Sequence, residues 1–198
     1  MEKSVDYLII GQGLAGTCLA YKLLALGKTV ILVDECKSTT SSRVAAGLYN
    51  PVVFKRLSNS WKANELIPAM QAFYKHAEEL TGKVFLHNKY MLKLFANTEE
   101  RLFWQKKQQE GNTYLSADVR LFKNKGFTKE QECAYVNHSG YLDTIAFLDS
   151  SRTYFTSQRA FVHDQFQYTD LVVEASYVQW KKYKATKVVF CEGLRASQ

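Results

Sequence analysis

The 198-residue sequence lacks several features that would place it in a membrane or an oxidising compartment. No segment is apolar over the ~20 residues that a membrane-spanning helix needs. Its four cysteines, Cys18, Cys36, Cys133 and Cys191, have no CxxC or other metal-ligand spacing, which favours buried thiols in a reducing, cytoplasmic compartment. Asp6 and the glycines that follow interrupt the first apolar run, so we expect no signal peptide and no membrane span.

Common catalytic signatures are also missing. The sequence contains no GxSxG, P-loop or HExxH pattern. Its histidines, His76, His87, His138 and His163, share no spacing that would build a metal site or a catalytic triad. We therefore expect no metal site, and the sequence assigns no catalytic residue.

The net charge is the first positive indication of a partner. A formal charge of +7 favours anionic ligands, including a dinucleotide, and is compatible with RNA. The lysines are scattered, however, and no basic stripe with interleaved aromatic residues occurs, so ordinary solvated surfaces explain them equally well. A hydrophobic content of 46% predicts a globular chain with one good-sized domain, or one domain with a small appendage.

The most informative stretch is residues 7–34. Its patterns predict a buried parallel strand, a glycine-rich turn, an amphipathic helix and a second buried strand, at residues 7–10, 11–16, 15–26 and 29–33. In a nucleotide site, Gly11 would allow the tight turn, Gly13 would let the backbone approach a pyrophosphate, and Gly16 would let the helix lie close to the sheet. Gly27 is placed to end that helix.

The amino end of this helix suits a diphosphate, because it offers unpaired N–H groups and a partial positive charge. Asp34 follows the turn at about the 20-residue separation expected for a carboxylate that binds a ribose hydroxyl. Its charge argues against NADP, but this stretch alone does not separate flavin from nicotinamide. A strand–helix turn without a ligand is the structural alternative.

A second segment, residues 42–51, combines small residues and a hydroxyl that would let the backbone lie along a flat cofactor, although an ordinary turn fits it as well. Residues 7–34 resemble the FAD-binding start of glutathione-reductase-type flavoproteins, whose GxGxxGxxxA pattern includes Ala20. Residues 42–51 resemble the second flavin contact of the D-amino-acid-oxidase-like (DAO) family, with Ser42, Gly47 and Pro51 in matching places. Within that family, the segment is similar to the oxidase domains that mature 5-methylaminomethyl-2-thiouridine in tRNA.

The resemblance implies FAD as the cofactor and assigns further contacts. Ser42 would touch the FAD phosphates or ribityl chain, and Ala46, Gly47 and Leu48 would approach the isoalloxazine ring. Arg43 departs from the small residue usual there and could meet a phosphate or point to solvent. The full set of expected cofactor-binding residues is Gly11, Gln12, Gly13, Leu14, Ala15, Gly16, Asp34, Glu35, Ser42, Arg43, Ala46, Gly47, Leu48, Phe166, Cys191 and Gly193.

The last three of these residues are assigned from the later part of the chain. Residues 187–193 resemble the family's returning FAD-domain strand, with Cys191 and Gly193 near the cofactor. An adenine-contacting strand is expected around Phe166. Gly140-Tyr141 resembles the junction where the chain returns from the substrate domain, and Tyr141 would either line the substrate pocket or pack in the core.

The resemblance implies an α/β fold: a Rossmann-like FAD-binding domain of the glutathione-reductase type, with a central parallel sheet and a small antiparallel meander, plus part of an α+β substrate domain. The expected boundaries are 1–83 and 141–198 for the FAD-binding domain and 84–140 for the substrate domain. Members of the family continue well beyond this length, so we expect a truncated chain.

Other patterns predict a helix over 66–80 that starts or kinks at Pro68, a helix capped by Asn97 and Glu100, a helix over 144–151, and strands over 166–171 and 177–183. The hypothesis for function is oxidation of a small amine or amino acid by hydride transfer to flavin N5. The alternatives are an NAD-dependent dehydrogenase and a dinucleotide-binding protein without turnover.

Overall fold

The computed structural model describes residues 2–123 and 130–193. These residues form five α-helices: α1 (Leu14–Ala25), α2 (Ser41–Val44), α3 (Ala63–Thr81), α4 (Thr98–Gln109) and α5 (Thr144–Ser157). The strands are β1 (Lys3–Ile10), β2 (Val30–Asp34), β3 (Leu48–Tyr49), β4 (Val52–Val53), β5 (Ser58–Asn59), β6 (Leu86–Asn88), β7 (Met91–Leu94), β8 (Arg120–Phe122), β9 (Gln131–Val136), β10 (Gly140–Leu142), β11 (Phe161–His163), β12 (Leu171–Val173), β13 (Val178–Trp180) and β14 (Tyr183–Phe190).

The chain divides into two compact units. The first contains Met1–Ala45, Ala77–Phe85 and Thr144–Gln198, and the second contains Ala46–His76 and Leu86–Asp143. The return to the first unit falls three residues after the expected boundary at 141. Residues 46–76, expected in the first part of the FAD-binding domain, belong instead to the second unit.

The first unit is built on a six-stranded sheet in the order β11-β2-β1-β14-β13-β12. Strands β11, β2, β1 and β14 run parallel, whereas β13 and β12 complete an antiparallel meander with β14. The predicted α/β fold, with a central parallel sheet and a small antiparallel meander, is therefore confirmed. Ile10 lies opposite both Val33 and Phe190, so the carboxyl ends of the three central strands meet at one edge.

Helices α1 and α5 pack together in this unit. Tyr21 of α1 lies 4.8 Å from Phe155 of α5, measured between ring centroids. Its hydroxyl donates a hydrogen bond of 3.1 Å to Ser151. Burial raises the pKa of Tyr21 to about 12, so the phenol stays protonated and the α1–α5 contact carries no charge at neutral pH. Helix α5 continues to Ser157, six residues beyond its predicted end.

The second unit contains most of α3, all of α4, and short antiparallel sheets in the orders β3-β10-β6, β4-β5 and β7-β9-β8. Its core is centred on Trp104, whose indole N–H donates to the Ser116 carbonyl at 2.9 Å. Helix α3 begins before Pro68 and continues through it. At the start of α4, the Asn97 side chain accepts from the Glu100 N–H at 2.9 Å, as the capping pattern predicted.

The strand predicted over 166–171 is wrong. The chain there forms a single 3₁₀ turn, Tyr168–Asp170, in which the Asp170 N–H donates to the Gln167 carbonyl, and the strand begins only at Leu171. The rings of Phe166 and Tyr168 both pack against Phe190, at 5.7 and 5.5 Å. The departure from a strand is the bond that closes this turn within the chain, because the Asp170 N–H is used locally and not in a ladder with a neighbouring strand.

Within the described residues, no helix has the length and apolar character required to cross a bilayer.

The buried core of the first unit predicts a clear stability contrast. Leu8 of β1 is fully buried, whereas Leu26 at the end of α1 is 73% exposed. We expect Leu8→Ala to lower the free energy of unfolding by about 2–5 kcal/mol, because it leaves a cavity between packed side chains. Leu26→Ala, the matched control, should change it by less than about 0.5 kcal/mol. Urea unfolding followed by circular dichroism measures both, and equal losses would contradict the described core.

Candidate cofactor-binding site

The glycine turn lies between β1 and α1 at the carboxyl edge of the sheet. Gly11 has φ +102°, in the region that favours glycine, and a Cβ there would lie 2.5 Å from the Cys191 carbonyl oxygen. A Cβ on Gly16 would collide with the Gly11 carbonyl oxygen. The Cys191 N–H donates to the Ile10 carbonyl at 2.7 Å, which fixes residue 191 against the turn. Glycine is therefore required at 11 and 16 for α1 to start this close to the strand.

The amino end of α1 meets Ser42. Gly13 is the N-cap residue and has extended backbone geometry. The N–H of Leu14 donates to the Ser42 hydroxyl at 3.0 Å, and a Cβ on Gly13 would lie 3.0 Å from the same oxygen. Two predicted segments, residues 11–16 and Ser42, are thus brought together at the start of the first helix. A larger side chain at residue 13 would have to displace the hydroxyl.

The carboxylate of Asp34 faces the glycine turn. One oxygen accepts the Gln12 backbone N–H at 2.7 Å and the other accepts the Cys36 N–H at 2.6 Å. A carboxylate has about four acceptor positions, so these two bonds orient the group and leave acceptor capacity for ribose hydroxyls. Asp34, which the sequence spacing placed near the nucleotide turn, lies next to that turn in the structure.

The strand next to Asp34 is β11. His163 lies opposite Asp34 in the parallel register, and its Nε2 is 3.2 Å from the Glu35 carbonyl oxygen. The Glu35 carboxylate forms an ion pair of 2.7 Å with Lys37. Phe166, predicted to mark the adenine-contacting strand, lies beyond β11 and packs against Trp180 at 5.7 Å. The structure therefore brings His163, not Phe166, to the Asp34 edge.

Arg43 adopts neither of the two arrangements considered for it. Its guanidinium forms a two-point ion pair with Asp149 of α5, with Nη–Oδ distances of 2.6 and 3.1 Å. Hydrogen bonding to Arg43 holds the pKa of Asp149 below its usual value, and the nearby Arg152 adds to this effect. The Arg43 side chain is only 18% exposed.

Gln12 connects the turn to the same helix. Its Nε2 donates to the Leu148 carbonyl at 2.8 Å, and its Oε1 accepts from Arg152 Nε at 2.8 Å. Sequence reasoning missed Asp149 and Arg152 because both lie more than 100 residues from their partners. Their i, i+3 spacing places them on one face of α5, but that pattern alone does not indicate what they contact.

The segment predicted to approach the flavin ring begins the second unit. Gly47 has φ +68°, and its carbonyl accepts the Leu142 N–H at 3.0 Å. Leu48 pairs with Tyr141 in the β3–β10 ladder, and its side chain is 67% exposed. The Tyr141 ring stacks on His87 at 4.7 Å. Ala46 and Leu48 therefore present an exposed edge, and Gly47 holds it close to β10.

The remaining predicted residues lie at the end of β14. Gly193 has φ +63°, which favours glycine at that position. Burial raises the pKa of the Cys191 thiol, so the thiol is protonated at neutral pH. Cys191 thus contributes its backbone to the glycine turn and no reactive thiolate.

Comparison with a protein-family model identifies the cofactor. The model of the DAO family, described as FAD dependent oxidoreductase, matches residues 6–198. The chain belongs to this family. FAD is accordingly its cofactor, as the resemblance implied.

Solved structures of DAO-family type share the fold. Glycine oxidase from Geobacillus kaustophilus has a TM-score of 0.68 and 18% identity, covering 100% of this chain and 57% of that one. L-amino acid deaminase from Proteus vulgaris has a TM-score of 0.67 and 14% identity, covering 98% and 48%. L-proline dehydrogenase from P. horikoshii has a TM-score of 0.62 and 15% identity, covering 100% and 55%. The chain thus spans about half the length of these neighbours.

The residues at the sheet edge fit the phosphate and ribose parts of FAD. The amino end of α1 supplies N–H donors, and no side chain longer than a serine approaches Gly13 among the neighbours within 4 Å of a Cβ built there. Asp34 supplies the acceptor for ribose hydroxyls beside the same turn. The donor and acceptor types therefore match a dinucleotide.

The Arg43–Asp149 pair predicts a pH-dependent stability difference. The folded-state pKa of Asp149 lies below its ordinary value of 3.8, so the pair stabilises the fold above that pH. As the pH falls through the lowered pKa, Asp149 becomes protonated and this contribution disappears. The difference in urea midpoint between the wild type and Asp149→Asn should therefore be constant between about pH 7 and 5 and shrink below about pH 4. A difference that grows on acidification would contradict the pairing.

Proposed function

We propose that this protein is the FAD-binding part of an oxidoreductase that oxidises the C–N bond of an amine or amino acid. One observation carries the proposal: in a chain of the FAD dependent oxidoreductase family, the glycine turn, the start of α1 and the Asp34 carboxylate converge at one edge of the sheet. This is the arrangement that holds a dinucleotide. We therefore place the start of cofactor binding at this edge of the sheet.

In this proposal, the N–H groups of Ala15 and Gly16 bind the FAD diphosphate, and Gly13 allows it to come close. Ser42 accepts the Leu14 N–H, and a hydroxyl that accepts one hydrogen bond still has a proton to donate to a phosphate oxygen. Asp34 binds the ribose hydroxyls of the adenosine half. Ala46, Gly47 and Leu48 contact the isoalloxazine ring.

The substrate class follows from the neighbours' names and from the chemistry of flavin. The neighbouring proteins are named for glycine, L-amino acids and L-proline, all of which carry an amine on the α-carbon. When bound, FAD would supply the hydride acceptor at N5; a neutral amine that gives up a hydride from its α-carbon would leave as a protonated imine. A neutral amine needs no strong base for this step, so we assign no catalytic residue to the chain.

The cofactor assignment predicts a specific loss of FAD in Gly13→Val. The valine side chain would push against the Ser42 hydroxyl and occupy the space of the diphosphate, so flavin absorption near ~450 nm should be lost after gel filtration. The melting temperature of the apoprotein should stay within a few degrees of the wild type, since the residue is at the helix end. The matched control is Ala25→Val at the exposed far end of α1, which should retain flavin.

Three outcomes separate the hypotheses. A yellow wild type whose ~450 nm band is bleached anaerobically by glycine, L-proline or another amino acid supports amine oxidation. A yellow protein that no amine bleaches contradicts the substrate class alone. A colourless protein that binds NADH would contradict the flavin assignment in favour of a nicotinamide enzyme.

The charge of +7 supports a second candidate property, binding of tRNA beside the amine chemistry. We expect such binding to weaken steeply between about 50 and 200 mM salt and to be absent for a neutral polymer. Fluorescence anisotropy with labelled tRNA measures it. No binding even at low salt would remove RNA from the proposal.

A further inference from the structure

Side chains from two segments at the candidate phosphate site, the glycine turn and α2, bond to one turn of α5. Gln12, in the glycine turn, bonds to the Leu148 carbonyl and to Arg152. Arg43, next to Ser42, pairs with Asp149. Arg152 Nη1 also lies 3.6 Å from an Asp149 oxygen, so the contacts of Gln12 and of Arg43 with α5 are connected to each other.

The Gln12 side chain is a structural connector. It is 3% exposed, and both its amide nitrogen and its amide oxygen have partners on α5. Its backbone N–H reaches the Asp34 carboxylate. Buried amides of this kind hold their position strongly, since a lost partner leaves an unsatisfied polar group. Through Gln12, α5 therefore fixes the backbone between Gly11 and Gly13.

The charges near the turn cancel. The Arg43 guanidinium pairs with Asp149, Arg152 Nη1 lies 3.6 Å from the same carboxylate, and the charge of Asp34 acts on Arg43 electrostatically. Both Nη atoms of Arg43 are engaged by Asp149 in two-point geometry, which directs its donors toward α5. Among the residues that the structure describes, the positive charge left for a phosphate at this turn thus comes from the amino end of α1.

We propose that Asp149 and Arg152 are positioning residues for the FAD diphosphate, and that Arg43 acts as a brace between α2 and α5, not as a phosphate ligand. Asp149 holds Arg43, and so keeps Ser42 against the Leu14 N–H. Arg152 holds Gln12, and so keeps the glycine turn against Asp34. The inference rests on the proposed function, which places the diphosphate at the start of α1.

The brace and a direct phosphate contact predict different patterns in a double-mutant cycle on FAD affinity. If Arg43 acts only through Asp149, then Arg43→Gln, Asp149→Asn and the double variant each remove the same interaction. All three should weaken FAD binding by about tenfold, and the double variant should be no weaker than the worse single variant. If Arg43 binds phosphate directly, the Arg43→Gln variant should bind FAD far more weakly than the Asp149→Asn variant. Asp149→Asn would free the guanidinium, so its FAD affinity should equal or exceed that of the wild type.

The experiment measures the FAD dissociation constant of the whole chain by quenching of flavin fluorescence, together with apoprotein melting. The matched control is a surface ion pair at the end of α4, between Lys107 of the helix and Glu110 just after it, 2.7 Å apart. Lys107→Gln and Glu110→Gln should change FAD affinity by less than about twofold. The ¹H–¹⁵N peaks of Gly11, Gly13 and Gly16 in the apoprotein should move in the Arg43 and Asp149 variants. They should stay in place in the control variants.

The outcomes are separable. Additive losses with the larger one at Arg43, or tighter binding in Asp149→Asn, overturn the brace. If the wild type binds FAD and all three variants bind it equally well, the brace is overturned and the proposed function still stands. A loss of FAD affinity that leaves the Gly11, Gly13 and Gly16 peaks in place would show a pair that only stabilises the fold and would contradict a positioning role. A wild type that binds no FAD contradicts the proposed function itself.

Discussion

The contact between the start of α1 and the carboxyl end of β1 is the constraint on which the site depends. Gly16 lies directly over the Gly11 carbonyl, and Gly11 is pressed against the Cys191 carbonyl of the neighbouring strand. Side chains at either position would push the helix away from the sheet. Because the helix starts so close, its amino-end N–H groups point to the same edge at which β2 delivers Asp34. A parallel sheet thus brings two glycines and one carboxylate together at the edge where we propose that the dinucleotide binds.

A second layer of contacts stabilises this corner from a distant part of the chain. Helix α5 follows the whole second unit in sequence, yet Leu148, Asp149 and Arg152 reach Gln12 and Arg43. Asp149 pairs with Arg43, so within the described residues the amino end of α1 supplies the positive charge at the glycine turn. The site therefore depends on folding of the first unit as a whole, including segments that precede and follow the second unit in the sequence.

The features predictable from sequence were those with local physical signatures. The parallel strands and α1 follow from apolar periodicity, and the position of Asp34 follows from a chain length that any βαβ unit must span. Strand patterns late in the chain predicted an antiparallel meander, the family resemblance implied FAD, and both hold. The role of Arg43 had no such signature, because its partner is 106 residues away. Gln12 was expected to bind the cofactor, and its side-chain bonds to α5 had no local signature because those partners are 136 and 140 residues away.

Two further differences have physical causes. Residues 46–76 pack with the second unit, since their strands pair with β10 and with each other, and strand pairing between distant segments leaves no local pattern. The apolar neighbours of Phe166 fit a strand as well as a turn, and the 3₁₀ hydrogen bond from the Asp170 N–H to the Gln167 carbonyl is what distinguishes the two. The assignment of Phe166 to adenine and of Ala46–Leu48 to the ring stays a prediction.

The most direct test of the central claim is a ¹H–¹⁵N NMR titration of the 22.7 kDa protein with FAD. The account predicts that the largest shifts occur at the backbone amides of Gly13, Ala15 and Gly16, with a second group around Asp34, because the diphosphate and ribose bind there. Saturable FAD binding that leaves these amides unchanged, while peaks elsewhere move, would contradict it.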